Sequence, residues 1–265
     1  MPSKVRQRSA APAAWADRWW TSADGLKLHA RDYAAASGGA KLPVLCIHGL
    51  TRNARDFDDL APKLAGWGRR VLAVDVRGRG LSDRDPHPMN YHPGTYVTDI
   101  AALLDQLGVR QVQVVGTSMG GLTAMVMAAM RPDLLAGVVL NDVGPEVSAA
   151  GLGRIGGYLG KPSGVKGWRG ASAYVRAHNA HVFPDYGPRD WARMARRLFE
   201  AADGGAPELD YDFAIAAPIQ AAAAAGGPPP NLWPYFEAMA ADGPLTIIRG
   251  ETSDLLDPST VARMR

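Results

Sequence analysis

Strands alternating with helices predict an α/β domain, with a mostly parallel central sheet and helices on both faces. Three observations carry this. The runs LPVLCIHG (42–49), VLAVDV (71–76), VQVVG (112–116) and LLAGVVLNDV (134–143) are short and continuously apolar, as strands buried on both faces are. Segments of helical periodicity lie between them. The linking turns are short, as β-α-β units require.

The elements follow in order. Residues 1–18, basic and rich in Ala, Ser, Arg and Pro at their start, are predicted to be disordered. LKLHARDY (26–33) alternates apolar and polar residues and reads as a half-exposed antiparallel strand. ARDFDDLAPKLAG (54–66) reads as one amphipathic helix. Thr95 to Leu107 forms a second, with Val97, Ile100, Leu103, Leu104 and Leu107 on one stripe. LTAMVMAAM (122–130) is an apolar helix ended by Arg131-Pro132. The rhythm then breaks over 144–232, where Gly and Pro are frequent. WARMARRLF (191–199) is the clearest helix there, and AAAAAGGPPP (221–230) reads as a low-complexity linker. PLTIIRG (244–250) restores the rhythm as a fifth buried strand, and PSTVARMR (258–265) starts a helix. The predicted organisation is a core of 19–143 and 233–265, with 144–232 inserted as a lid over the carboxyl edge of the sheet.

The chain has 265 residues, 47% of them hydrophobic, enough for one large domain or one domain with an insertion. The formal charge is +3, with no dense Lys/Arg cluster, so no nucleic-acid surface is expected. A single cysteine, Cys46, allows no internal disulfide and no CxxC metal motif. No apolar stretch approaches the roughly 18 residues of a membrane span, and the N-terminal segment lacks the apolar run of a signal peptide. A cytoplasmic protein is expected. The sequence gives no indication of oligomeric state.

Gly116-Thr117-Ser118-Met119-Gly120 is a G-x-S-x-G placed between a buried strand and an apolar helix. That is the context of a nucleophile elbow, where glycines leave room for a sharp strand-to-helix turn. The helix N-terminus brings free N–H groups and a positive dipole beside Ser118. His48-Gly49-Leu50 follows the strand 42–47, at the edge where open α/β sheets bind ligands. The N–H groups of Leu50 and Met119 are the expected oxyanion donors, each worth roughly 2.7–4 kcal/mol in a transition state. His48, Gly49, Arg52 and Asn53 are assigned to the substrate pocket. The ring of His48 is also expected to hold the loop by hydrogen bonds. For Arg52, Asn53 and Phe57 an exposed polar loop with a helix N-cap is the alternative.

HGLTRNARDF (48–57), VDVRGRGLSD (74–83), GTSMGG (116–121), NDVGPE (141–146) and RGETSDLL (249–256) come in the order of the α/β-hydrolases. Over about residues 20 to 265 the sequence resembles their branch of bacterial esterases, enol-lactonases and C–C-bond hydrolases. The resemblance implies the α/β-hydrolase fold with a helical cap after the strand 134–143. It implies Ser118 as nucleophile and Asp254 as the acid that orients a histidine, with Asp142 as the alternative acid. Asp257 precedes Pro258 and reads as a helix cap. Neither metal nor organic cofactor is implied. Gly78-Arg79-Gly80 could suggest phosphate binding, but within the resemblance it is a tight turn after a strand.

The family order is Ser, acid, His, and no histidine follows Asp254; the six are His29, His48, His87, His92, His178 and His181. The resemblance implies a further strand and helix flanking the missing base. Three explanations stand open. The sequence is part of a longer chain; a histidine of the insertion, His178 or His181, substitutes; or a natural short form serves as a non-catalytic binder. His178 and His181, three apart, would share a helix face, but without a carboxylate partner they suggest no metal. The expected activity is hydrolysis of a small-to-medium carboxylic ester or lactone through an acyl-enzyme on Ser118. C–C bond hydrolysis of a ring-fission diketone is the alternative.

Overall fold

In the computed structural model, residues 14–36, 41–202, 205–227, 229–241 and 243–265 are described. The strands are β1 (Ala16–Thr21), β2 (Lys27–Tyr33), β3 (Val44–Ile47), β4 (Val71–Asp75), β5 (Val112–Thr117), β6 (Leu135–Asn141), β7 (Phe199–Glu200), β8 (Glu208–Leu209) and β9 (Leu245–Ile248). Seven of them form one sheet in the order β1-β2-β4-β3-β5-β6-β9. β1, β2 and β4 pair antiparallel; β4, β3, β5, β6 and β9 run parallel.

The central strands are buried on both faces because their alternating side chains feed two cores. Leu45 and Ile47 join Leu72, Val74, Val112 and Val114 on one face. There α2 (Pro93–Gln106) lays down Val97, Ile100, Leu103 and Leu104, and α3 (Met119–Met130) adds Met125 and Met127. Val44, Cys46, Val71 and Ala73 meet Phe57, Ala61 and Ala65 on the other face, covered by α1 (Ala61–Gly66).

Several expectations need correction. The disorder expected over 1–18 fails where it can be checked: Ala16–Thr21 is a strand, pinned to α2 by the Trp20 indole N–H on Asp99 O at 2.9 Å. Residues 1–13 lie outside the described residues. β2 is largely buried rather than half-exposed, since Leu28, His29 and Ala30 are all enclosed. The helix expected over 54–66 divides into a 3-10 turn (Ala54–Phe57) and α1, because Pro62 sets a fresh N-terminus. β9 sits beyond β6 with alternating exposure and Ile248 half in solvent, so it is a one-sided strand rather than a buried one.

Between β6 and β9 the chain forms α4 (Ala149–Tyr158), α5 (Trp168–Asn179), α6 (Pro188–Leu198), the β7–β8 hairpin and α7 (Ala217–Ala225). The alanine run expected as linker is thus the end of α7, closed by Gly226 at φ +67°. α8 (Trp233–Ala241) packs on α3, and α9 (Pro258–Arg263) follows β9. The inserted segment is fastened to the loops after β3 and β4. Asn53 Nδ2 donates to Arg197 O (2.8 Å) and Asp210 Oδ2 (3.0 Å). Asp212 N–H donates to Gly78 O (2.7 Å), and Gly80 N–H to Asp210 O (3.2 Å). Among the described residues no helix is long and apolar enough to cross a membrane.

Candidate active site

β5 ends and α3 begins with Ser118 between them, at φ 50° and ψ −113°. A non-glycine residue with positive φ is strained and persists only where its surroundings dictate it. Here they do. A Cβ on Gly120 would lie 2.1 Å from Ile47 O, and one on Gly116 would lie 2.6 Å from the Gly120 backbone. Strand and helix cross so closely that only hydrogen fits. Ser118 N–H donates to Asn141 O (3.0 Å), and Ser118 O accepts from Gly121 N–H (2.8 Å), so the turn is bonded on both sides.

The loop after β3 crosses this elbow. A Cβ built on Gly49 would stand 3.8 Å from Ser118 Cβ and 3.5 Å from Arg52 Cγ. Among the described residues the N–H groups of Leu50 and Met119 have no protein acceptor. His48 lies behind the loop with no exposed surface. Its Nδ1–H donates to Gly49 O (2.7 Å) and its Nε2 accepts from Val76 N–H (3.1 Å). Burial pushes its pKa down to about 4, and the Arg79 charge acts in the same direction. His48 is therefore a neutral brace and does not line a pocket.

Asn53 is also corrected. It is buried, caps the 3-10 turn by accepting from Arg55 N–H (3.0 Å), and holds the inserted segment. Phe57 belongs to the core under α1. Arg52 stays at the rim, half-buried, with Nε on Asp56 Oδ2 at 2.8 Å.

The two candidate acids differ. Asp142, at the end of β6, has φ 58° and accepts from Gly250 N–H (3.1 Å) and the Ser253 hydroxyl (2.9 Å). Asp254 is gripped by Arg154 of α4, Nε at 2.5 Å and Nη2 at 2.8 Å. That guanidinium holds the Asp254 carboxyl below its ordinary pKa, and the charge of His181 lowers it further. Asp257 occupies the N-cap position of α9 without a side-chain cap bond. His178 donates Nδ1–H to Tyr174 O (2.8 Å), against the rings of Tyr158 and Tyr174. Among the described residues no group of three or more His, Cys, Asp or Glu is placed to hold a metal.

Residues 43–152 match the family model of the alpha/beta hydrolase fold. The 3-hydroxybutyrate-oligomer hydrolase of Cupriavidus necator is 38% identical over 228 residues, 83% of this chain and 76% of the relative. The chain belongs to the α/β-hydrolase family. A solved α/β hydrolase of Novosphingobium aromaticivorans is 46% identical, with a TM-score of 0.88 over 96% of this chain and 87% of that one. The 2-(acetamidomethylene)succinate hydrolase of Mesorhizobium japonicum is 30% identical over 221 residues, 83% of this chain and 74% of the relative.

This α/β hydrolase carries two arginines that sequence reasoning did not place at the site. Arg154 had no local signal, since its partner is 100 residues away. Arg79 had one: it stands between Gly78 and Gly80, both at positive φ, in the turn after β4.

Proposed function

We propose that this α/β hydrolase cleaves a small-to-medium carboxylic ester or lactone through an acyl-enzyme on Ser118. The observation that carries the reading is the Ser118 elbow. A strained serine stands at the turn, a Cβ built on Gly49 would lie 3.8 Å from Ser118 Cβ, and among the described residues the Leu50 and Met119 N–H groups have no protein acceptor. A fold with no use for the serine would relax that strain with glycine.

Ser118 Oγ attacks the acyl carbon while a histidine takes its proton, and the Leu50 and Met119 N–H groups hold the oxyanion. The leaving alcohol takes the proton back, and water then releases the acid and frees Ser118. Asp254 orients the histidine. Its bidentate hold on Arg154 must loosen for that, whereas Asp142 is already cradled by Gly250 and Ser253 on a strained backbone. That cradle favours Asp142 as the second reading. Asp254→Asn and Asp142→Asn, measured separately, decide between them: the true acid loses the larger share of kcat.

The inserted segment acts as the lid that sets substrate choice, through aromatic residues such as Tyr158 and Tyr186 beside Arg52. The 3-hydroxybutyrate oligomer, on which the Cupriavidus relative acts, is an ester of suitable size and heads the substrate panel, with an aryl ester and a ring-fission diketone beside it. Diketone cleavage without ester cleavage would replace ester hydrolysis by C–C hydrolysis. The direct test is labelling by a fluorophosphonate. Ser118 should be labelled and Ser118→Ala should not; no labelling of the complete protein would make it a binder. Intact mass against 28.1 kDa shows whether further chain accompanies these residues.

A further inference from the structure

Arg77 and Arg79 sit two residues apart on the turn after β4, each 1% exposed, in opposite electrostatic states. Arg77 is bonded to the carboxylates of Asp24 (2.8 Å), Asp85 (2.5 Å) and Asp99 (2.6 Å). Arg79 has no carboxylate within 4.0 Å among the described residues. Its donors reach only neutral acceptors: Leu50 O at 3.0 Å, Arg77 O at 2.8 Å, Tyr96 Oη at 3.0 Å and Met119 Sδ at 3.5 Å. The rings of Tyr91 and Tyr96 flank it, their centroids 5.4 and 5.3 Å away. Asp75, the last residue of β4, directs its oxygens to His29 and to the N–H groups of Ala54 and Leu81.

An always-charged guanidinium buried without a counter-charge is costly, and folds seldom keep one idle. Two of its four acceptors belong to Leu50 and Met119, whose N–H groups make the proposed oxyanion hole. The cation is thus bonded to both residues that carry these donors and is screened from water. Gly80 fixes this direction, since a Cβ there would lie 2.4 Å from the Asp75 carboxyl and force the turn open.

We propose that Arg79 is a positioning residue of the oxyanion hole, fixing Leu50 and Met119 and supplying the positive charge that the tetrahedral oxyanion neutralises. It touches no substrate. The inference rests on the reading of Ser118 as nucleophile. Preorganised charge aimed at where negative charge develops acts on the transition state, so its loss falls on kcat rather than KM.

The test uses a carbonyl-13C trifluoromethyl ketone with the complete protein. Ser118 Oγ bonds to the carbonyl carbon, the C=O π pair moves to oxygen, and the serine proton passes to the base. The 13C shift against pH gives the pKa of the hemiketal oxygen. In Arg79→Met that pKa should rise by about one unit or more, with kcat down about 10²-fold and KM within about threefold. Arg79→Lys should keep the hemiketal pKa within about half a unit. A folded Arg79→Met with an unshifted hemiketal pKa overturns the proposal and leaves Arg79 a packing residue. If Arg79→Met does not fold, the neutral but hydrogen-bonding Arg79→Gln decides: a hemiketal pKa raised by about one unit supports the charge, and an unshifted one overturns it. A wild-type protein that forms no hemiketal, or one unchanged by Ser118→Ala, fails the nucleophile reading instead.

Discussion

The Ser118 elbow and the inserted segment meet at the carboxyl ends of the strands, yet they are held by different forces. The elbow is held by backbone: close glycine approaches, Ser118 N–H on Asn141 O, and a strained φ that no side chain titrates. The insertion adds ionisable side chains to its backbone bonds with Gly78 and Gly80. Asp210 accepts from Asn53 and Arg55, Tyr91 donates to Asp212 (2.5 Å), and Arg197 pairs with Asp59 (2.9 Å). Geometry for chemistry is thus insulated from pH, while the attachment of the covering segment is not.

The largest break in this contrast comes from Gly120→Ala. A methyl 2.1 Å from Ile47 O must push strand and helix apart, and a loss of about 4 kcal/mol or more is expected in denaturant unfolding. Tolerance of alanine there would show that the elbow is not fixed by its backbone.

Asp210→Asn probes the other side. Burial pushes the Asp210 carboxyl up to about 7, against the pull of Arg55. A folded pKa above the unfolded value of 3.8 means that the native state prefers the protonated acid. Its contribution is full below pH 3.8 and declines as pH rises toward about 7. Between pH 4 and 8 the Tm of wild type should fall relative to Asp210→Asn by about 5 °C. Parallel Tm curves would remove the titratable tether.

Ser118→Gly sharpens the comparison by releasing the strain at positive φ. It should gain about 1 kcal/mol in stability, where Ser118→Ala gains nothing because alanine shares the φ penalty. The smallest effect is expected from Arg154→Met. The Arg154–Asp254 pair is 29% exposed on both sides and should cost under about 1 kcal/mol in unfolding, while the Asp254 carboxyl returns toward its ordinary pKa by NMR titration.

Four of the parallel strands were legible because their apolar runs lie buried inside the sheet; β9 has a similar run but ends the described sheet with one side in solvent. The elbow was legible because Gly116, Ser118 and Gly120 answer a local steric demand that sequence spacing records. β1 was not: ADRWWT has no alternation, and it is held by a partner strand and by Trp20 reaching α2. The split before α1 is signalled by Pro62 and the cap at Asn53, but the amphipathic periodicity runs on across both pieces and hides it. Asn53 looked like a pocket residue because loop polarity is visible in sequence, whereas its partners Arg197 and Asp210 are more than 140 residues away. Arg77 and Arg79 look alike in a sequence; only three dimensions reveal which one has carboxylates around it.

The crowding at Gly116, Gly120 and Gly121 also sets where this enzyme scaffold can be rewritten. Each of these positions admits a hydrogen atom and nothing larger, so libraries that randomise the elbow will consist mostly of unfolded clones. The Gly153, Gly156 and Gly157 positions of α4 have open space around them. Sequence diversity placed there changes an exposed face of α4 while leaving the serine turn as inherited.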